Sequence, residues 1–133
     1  MTCHVAKCSD LTINHKAFQY YPALKKIKTY VERYPERPLT LRKAATIAAM
    51  EATHFSKFFH RKIGVSFKHW ETVRRVELAI SFFDTVQTSV LEAALKAGFN
   101  DLTTFERAFK RIKGITPRDY KKHVEALWLA KTA

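Results

Sequence analysis

Apolar residues along most of this chain recur every three to four positions, the period that places them on one face of an α-helix. Leu24, Ile27, Val31 and Tyr34 form the first such stripe; Pro22 suits a first helical position, and Pro35 and Pro38 end the segment. A short second helix is opened by Thr40 as N-cap and turns Leu41, Ala44, Ala45 and Ala48 inward, mostly small residues that let another helix approach closely. A third begins near Ala52 or Thr53, directs Phe55, Phe58, Phe59 and Ile63 inward and stops at Gly64, placed as a glycine C-cap. Ser66 caps a long fourth helix over roughly Phe67 to Thr85, in which Trp70, Val73, Val76, Ala79, Phe82 and Phe83 are spaced for burial. Ser89 and Glu92 make a capping box for a fifth helix with Val90, Ala93, Ala94 and Ala97 inward. Asp101 caps a sixth, with Phe105, Phe109 and Ile112 inward and Gly114 at its end. Thr116-Pro117 then opens a seventh, with Tyr120, Val124 and Leu127 on one side. The pattern predicts an all-α chain of seven helices.

The pattern also repeats. Thr40 recurs as Ser89, Leu41 as Val90, Ala44-Ala45 as Ala93-Ala94, and Ala48-Ala49 as Ala97-Gly98, each 49 positions later. After a one-residue insertion the offset becomes 50: Phe55 recurs as Phe105, Phe59 as Phe109, Gly64 as Gly114, Val65 as Ile115 and Ser66 as Thr116. Each copy is a small-faced helix, a short turn and a helix with an aromatic inner face and a basic outer face. That is the layout of a helix-turn-helix unit whose second helix enters a DNA major groove. The expected organisation is an N-terminal arm over 1–19, a first unit over 20–66, a linking helix over 67–86, and a second unit with its C-terminal helix over 87–133. The arm shows no sustained period and reads as mobile.

Charge gives the partner. Lys and Arg outnumber Asp and Glu by 24 to 12, a formal charge of +12 with a pI near 9.9, which points to a polyanion. No apolar run approaches the roughly 20 residues that span a bilayer, and no signal-peptide pattern opens the chain, so a soluble, cytoplasmic, nucleoid-associated protein is expected rather than a membrane one. At 133 residues one domain can bury roughly two thirds of its unfolded surface without metal or disulfide. Basic charge concentrates on the second helix of each repeat. From Ala52 through Trp70 there is no acid, while Lys57, Arg61, Lys62 and Lys68 are present; from Leu102 through Arg118, Glu106 stands alone against Arg107, Lys110, Arg111, Lys113 and Arg118.

Other chemistry is thin. Cys3, His4 and Cys8 offer a redox or metal-sensing alternative, yet a structural zinc site needs four ligands and no second cluster has zinc spacing. Asp119 and His123 lie four apart on the last helix, but no nucleophile, phosphate loop or third ligand accompanies them, so they read as a surface pair and not as an enzyme site. No cofactor is expected.

Gly98-Phe99-Asn100-Asp101, Phe105-Glu106-Arg107-Ala108-Phe109-Lys110, Gly114-Ile115-Thr116-Pro117 and Tyr120 together resemble the C-terminal signature of AraC-type regulators. The first copy resembles the family's less regular half through Ala45, Ala48, Phe55, Phe59, Gly64 and Ser66-Phe67, followed by Arg75 and Ala79. Two positions depart from it: Ala49 stands where the turn usually has Gly, and Glu51 where a Ser-type cap usually opens the recognition helix. The resemblance implies that Thr53, Ser56 and Lys57 face bases and that His60, Arg61 and Lys62 face the groove edge and phosphates. On the sixth helix the equivalent base-facing set is Leu102, Thr103, Glu106 and Arg107. There Arg can take guanine bidentately, Glu can accept from cytosine and Thr can touch a thymine methyl. Lys110, Arg111 and Arg118 would face phosphates. Glu106 also has a plain reading as an i, i+4 partner of Lys110. The phenylalanines of these helices read as core; Arg75 reads as an ion-pair partner on the linking helix or a phosphate contact, with the structural role preferred.

What the resemblance implies for function is transcription regulation, usually activation, through double-stranded DNA and contact with RNA polymerase; most members join such a module to a ligand-binding domain, so this chain, with a short arm before its first helix, reads as a stand-alone member or else a fragment. Two tandem, non-identical units imply a monomer on an asymmetric site. A non-specific architectural DNA binder is the alternative within the same class.

Overall fold

The computed structural model describes residues 13–83 and 88–132. Cys3, His4 and Cys8 fall outside these, as does Thr85, to which the periodicity extends the linking helix. The described residues form eight helices and no strand: α1 (Ala17–Tyr20), α2 (Pro22–Arg33), α3 (Leu41–Ile47), α4 (Ala52–Ile63), α5 (Phe67–Phe82), α6 (Val90–Lys96), α7 (Leu102–Lys113) and α8 (Pro117–Thr132). The class is all-α as expected, with one helix more than the seven predicted.

The additional helix is α1, which begins within the stretch assigned to the arm. Ile13, Ala17 and Phe18 are buried, so residues of that stretch belong to the packed fold. Phe18 packs against Phe59 at 6.0 Å and Trp70 at 5.2 Å between ring centroids. Just ahead of it, the backbone N–H of Asn14 donates to the Ile63 carbonyl at 2.7 Å and its side-chain amide to the Lys62 carbonyl at 3.3 Å. These bonds satisfy carbonyls that the end of α4 leaves without intrahelical partners. A four-residue helix has too few positions to show a period, which is why the hydrophobic pattern passes over it.

The caps are those the residue types predict. Thr40, Ser66 and Asp101 accept from the backbone N–H groups of Lys43, His69 and Thr104, and Ser89 with Glu92 forms a complete capping box. Gly64 and Gly114 end the two longer helices of the repeat at φ 99° and 84°, a left-handed conformation that strains an L side chain.

The turn of each repeat is the same structure. Ala49 N–H donates to Thr46 O and Met50 N–H to Ala45 O; 49 positions on, Gly98 N–H donates to Leu95 O and Phe99 N–H to Ala94 O. Both are Schellman ends, in which the residue after the C-cap takes a left-handed conformation. Gly98 does so at φ 96°, and Ala49 does so at φ 57° as the one such non-glycine among the described residues. An L side chain there costs about 1–2 kcal/mol, while glycine costs about 0.5–1 kcal/mol in backbone entropy. Ala49 is exposed, so Ala49→Gly is expected to stabilise the chain by about 0.5 kcal/mol and raise Tm by a few degrees in a calorimetric scan. A fall in Tm would contradict the strain assigned to this turn.

Aromatic rings build a core in each unit. Phe18, Phe55, Phe59, Phe67 and Trp70 interlock in the first, and Phe83, Phe99, Phe105, Phe109 and Tyr120 in the second, mostly in tilted or edge-to-face pairs. The linking helix α5 belongs to both. Phe67 and Trp70 at its start enter the first core, Phe83 at its C-cap enters the second, and only Lys68, Glu77 and Ser81 on it remain exposed. Glu77 pairs with Lys113 at the end of α7, tying the second unit to the link. On α8, Tyr120 and Val124 are half-buried but Leu127 is 65% exposed, so the predicted apolar stripe meets the core only in its first turns.

Candidate nucleic-acid interface

Each recognition helix buries one face completely and leaves the other open. In α4, Phe55, Phe59 and Ile63 are inaccessible to solvent, while Thr53, Lys57, His60 and Arg61 are exposed. In α7, Phe105, Ala108, Phe109 and Ile112 are buried, and Thr103, Glu106, Arg107, Lys110 and Arg111 are exposed. Arg118 is exposed near the start of α8. The remaining candidates sit differently. Ser56 is half-buried, Leu102 packs against the core, and Lys62 is half-buried with its ammonium 5.0 Å from the centre of the Tyr21 ring. Leu102 and Lys62 thus have packing roles beside any contact to a ligand.

Acidic N-caps hold the starts of both helices. Glu51 accepts from Thr53 N–H at 2.9 Å and His54 N–H at 3.1 Å, and Asp101 accepts from Thr104 N–H at 2.7 Å. Glu51 therefore does the work of the Ser-type cap whose place it takes. These backbone bonds hold both carboxyls below their ordinary range. A carboxylate whose pKa is lower folded than unfolded contributes stability above its unfolded pKa and loses it as pH falls through the folded one.

The two helices border one cleft. One cleft of about 670 Å³ is lined by Ser56 of α4, by Thr104, Arg107 and Arg111 of α7, and by Lys68, Thr72 and Arg75 of α5 between them. Both recognition helices therefore border the same side of the molecule. No ion pair joins Glu106 to Lys110, which leaves the Glu106 carboxylate open to another partner. Asp119 and His123 are both exposed on α8, and among the described residues no three His, Cys, Asp or Glu side chains cluster to hold a metal.

Behind the cleft lies a group that charge patterning alone passes over. Glu71 is 4% exposed. Its carboxylate accepts from Arg74 through Nε at 2.7 Å and Nη2 at 2.9 Å, from Arg75 Nε at 3.0 Å, and from the Leu39 backbone N–H at 2.7 Å. Arg74 reaches further, donating to the carbonyls of Pro35 and Arg37. The α2–α3 loop is thus pinned to the linking helix. That loop then meets the second unit: a Cβ built on Gly98 would lie 3.0 Å from Pro38 Cγ. Arg75 is the ion-pair partner expected of it; Glu71 and Arg74 were signalled only by an acid three and four residues before two arginines.

Two small-faced helices, two Schellman turns and two recognition helices bordering one cleft define a tandem helix-turn-helix domain. The chain matches the family model described as "Helix-turn-helix domain" over residues 44–123, and it belongs to this AraC-type family of DNA-binding transcriptional regulators. It is 26% identical over 119 residues to the transcriptional regulator AlkR of Acinetobacter baylyi, covering 90% of this chain and 39% of that protein. It is 29% identical over 92 residues to an uncharacterised helix-turn-helix-type regulator of Staphylococcus aureus, covering 69% of this chain and 12% of that one. The chain thus spans a minor part of either relative. Among solved structures it is similar to the DNA-binding domain of AdpA, determined in complex with a target DNA, with a TM-score of 0.70, 25% identity and coverage of 79% of this chain and 94% of that one. A DNA-binding transcriptional dual regulator of Escherichia coli K-12 shares the fold at a TM-score of 0.66 and 19% identity, covering 74% and 94%. Both curated relatives are named as transcriptional regulators. No helix among the described residues is long and apolar enough to cross a membrane.

Proposed function

We propose that this chain regulates transcription by binding double-stranded DNA as a monomer, with α4 and α7 in successive major grooves of one asymmetric site. The observation that carries this is the shared cleft bordered by Ser56 on one recognition helix and Arg107 on the other. Helices so placed can enter DNA from one side. Thr53, Ser56 and Lys57 read one half-site, and Thr103, Glu106 and Arg107 the other, with Leu102 at the groove edge. His60, Arg61, Lys62, Lys110, Arg111 and Arg118 hold phosphates. Because the base-facing sets differ, the two half-sites differ, and neither a second copy nor a palindrome is needed. The regulatory sign we assign is activation, through contact with RNA polymerase at the promoter.

Two measurements test the reading. With about 6 to 10 phosphates neutralised, a plot of log affinity against log salt should have a slope of about −5 to −9. A flat response removes nucleic acid as the partner. Arg107→Ala should weaken the best site by about 1–3 kcal/mol and relax preference at one base pair, because a guanine loses its bidentate donor. Uniform weakening across sequences would instead make Arg107 a phosphate contact and favour an architectural binder.

A further inference from the structure

From the chemistry of the cleft between the two units we infer a third DNA contact: a backbone-phosphate saddle, built mainly from the linking helix, that grips the spacer between the half-sites. This rests on the DNA-binding reading above and adds to it Lys68, Arg75, Ser66 and Thr40, none of which lies on a recognition helix.

Four cations, Lys68, Arg75, Arg107 and Arg111, line the cleft, against Glu71 as its single carboxylate. That carboxylate is already saturated. It is buried, takes two bonds from Arg74 and one from the Leu39 N–H, and fixes Arg75 through Nε, which leaves the remaining Arg75 donors available. The cleft accordingly carries uncompensated positive charge, and the His69 imidazole beside it is held below its ordinary pKa by burial and then by the charge of Arg111. Hydroxyls add donors. Thr40 Oγ1 accepts from Lys43 N–H and Ser66 Oγ accepts from His69 N–H, which leaves each hydroxyl its own proton to donate. Four cations and hydroxyl donors, with the single lining carboxylate already engaged, suit a phosphodiester. Both recognition helices flank this pocket, so DNA that receives them must pass over it, and the part that does so is the spacer.

Lys68 is exposed and tests the saddle without disturbing the core. The probe is a duplex that this chain itself selects from a random pool, made with natural phosphates or with neutral methylphosphonates in the spacer. Lys68→Ala, with its Tm unchanged, should reduce the salt slope by about 0.9 and cut the affinity lost between 50 and 200 mM salt about 3-fold, the share of one phosphate contact. Spacer methylphosphonates should weaken the unaltered chain similarly and Lys68→Ala much less, since both remove the same contact. Equal effects of the methylphosphonates on both proteins, or a full slope for Lys68→Ala, overturn the saddle. Pyrophosphate displacing DNA at micromolar concentration would assign the cleft to a free phosphorylated ligand and overturn it as well. If the unaltered chain selects no sequence, the reading as a sequence-specific regulator fails, a result distinct from selection that is indifferent to Lys68.

Discussion

Inserting five base pairs between the two half-sites is expected to weaken binding by about 2–5 kcal/mol. Specific recognition exceeds non-specific binding by about 4–10 kcal/mol, and two units of similar size share it. Recognition helices that enter successive major grooves must lie one DNA turn apart, roughly 34–36 Å, which on the proposed mode of binding sets the half-site centres about 10 base pairs apart on one face of the duplex. Half a turn of added DNA carries one half-site to the opposite face, where α7 and α4 cannot both reach their grooves. The units cannot swing to follow it. They share α5, whose two ends enter different cores, and are braced by Lys113 on Glu77 and by Pro38 on Gly98. Ten inserted base pairs restore the face but exceed the span, so they should not restore affinity. Tight binding at every spacing would mean that the units act independently.

Glu71→Ala is expected to destabilise the fold by about 3 kcal/mol. Removing one partner of a buried ion pair costs about 3–5 kcal/mol, and the lower end applies because Arg74 and Arg75 keep 15% and 23% of their side chains in contact with water. The loss is concentrated in the Leu39 N–H, left buried without an acceptor, and in two guanidiniums left without a counter-charge. For a chain of 133 residues the Tm should fall by about 10 °C by circular dichroism. Freed from Glu71 and Arg74, the loop carrying Pro38 no longer braces the turn at Gly98, so the variant should also discriminate less between half-site spacings. A Tm within 2 °C or so of the parent's would contradict the role given to this carboxylate.

Local chemistry was legible in the residues. Thr40, Ser66, Ser89, Asp101, Gly64 and Gly114 bound the helices they were expected to bound, because a cap depends on a side chain within three residues of the backbone it satisfies. Repetition likewise made the tandem architecture visible, down to the insertion that lengthens the second turn by Asn100. What stayed hidden is non-local or conformational. Phe18 gains its place from Phe59 and Trp70, not from a neighbouring stripe. Glu71 meets Leu39 from 32 residues away. Ala49 adopts a conformation its residue type disfavours, held by the same two turn bonds that Gly98 makes easily. Of the candidate site, the open faces of α4 and α7 follow from helical period, whereas the half-burial of Leu102 and Lys62 depends on what packs beside each helix end.

Selection of bound duplexes from a random pool at physiological salt, with the chain stoichiometry of the selected complex measured by sedimentation, bears most directly on the central claim. One chain should bind per duplex, on an asymmetric site whose two unlike half-sites have centres about 10 base pairs apart. Arg107→Ala, put through the same selection, should lose preference within one half-site only. An unselective pool, or a palindrome carrying two chains, would contradict the account.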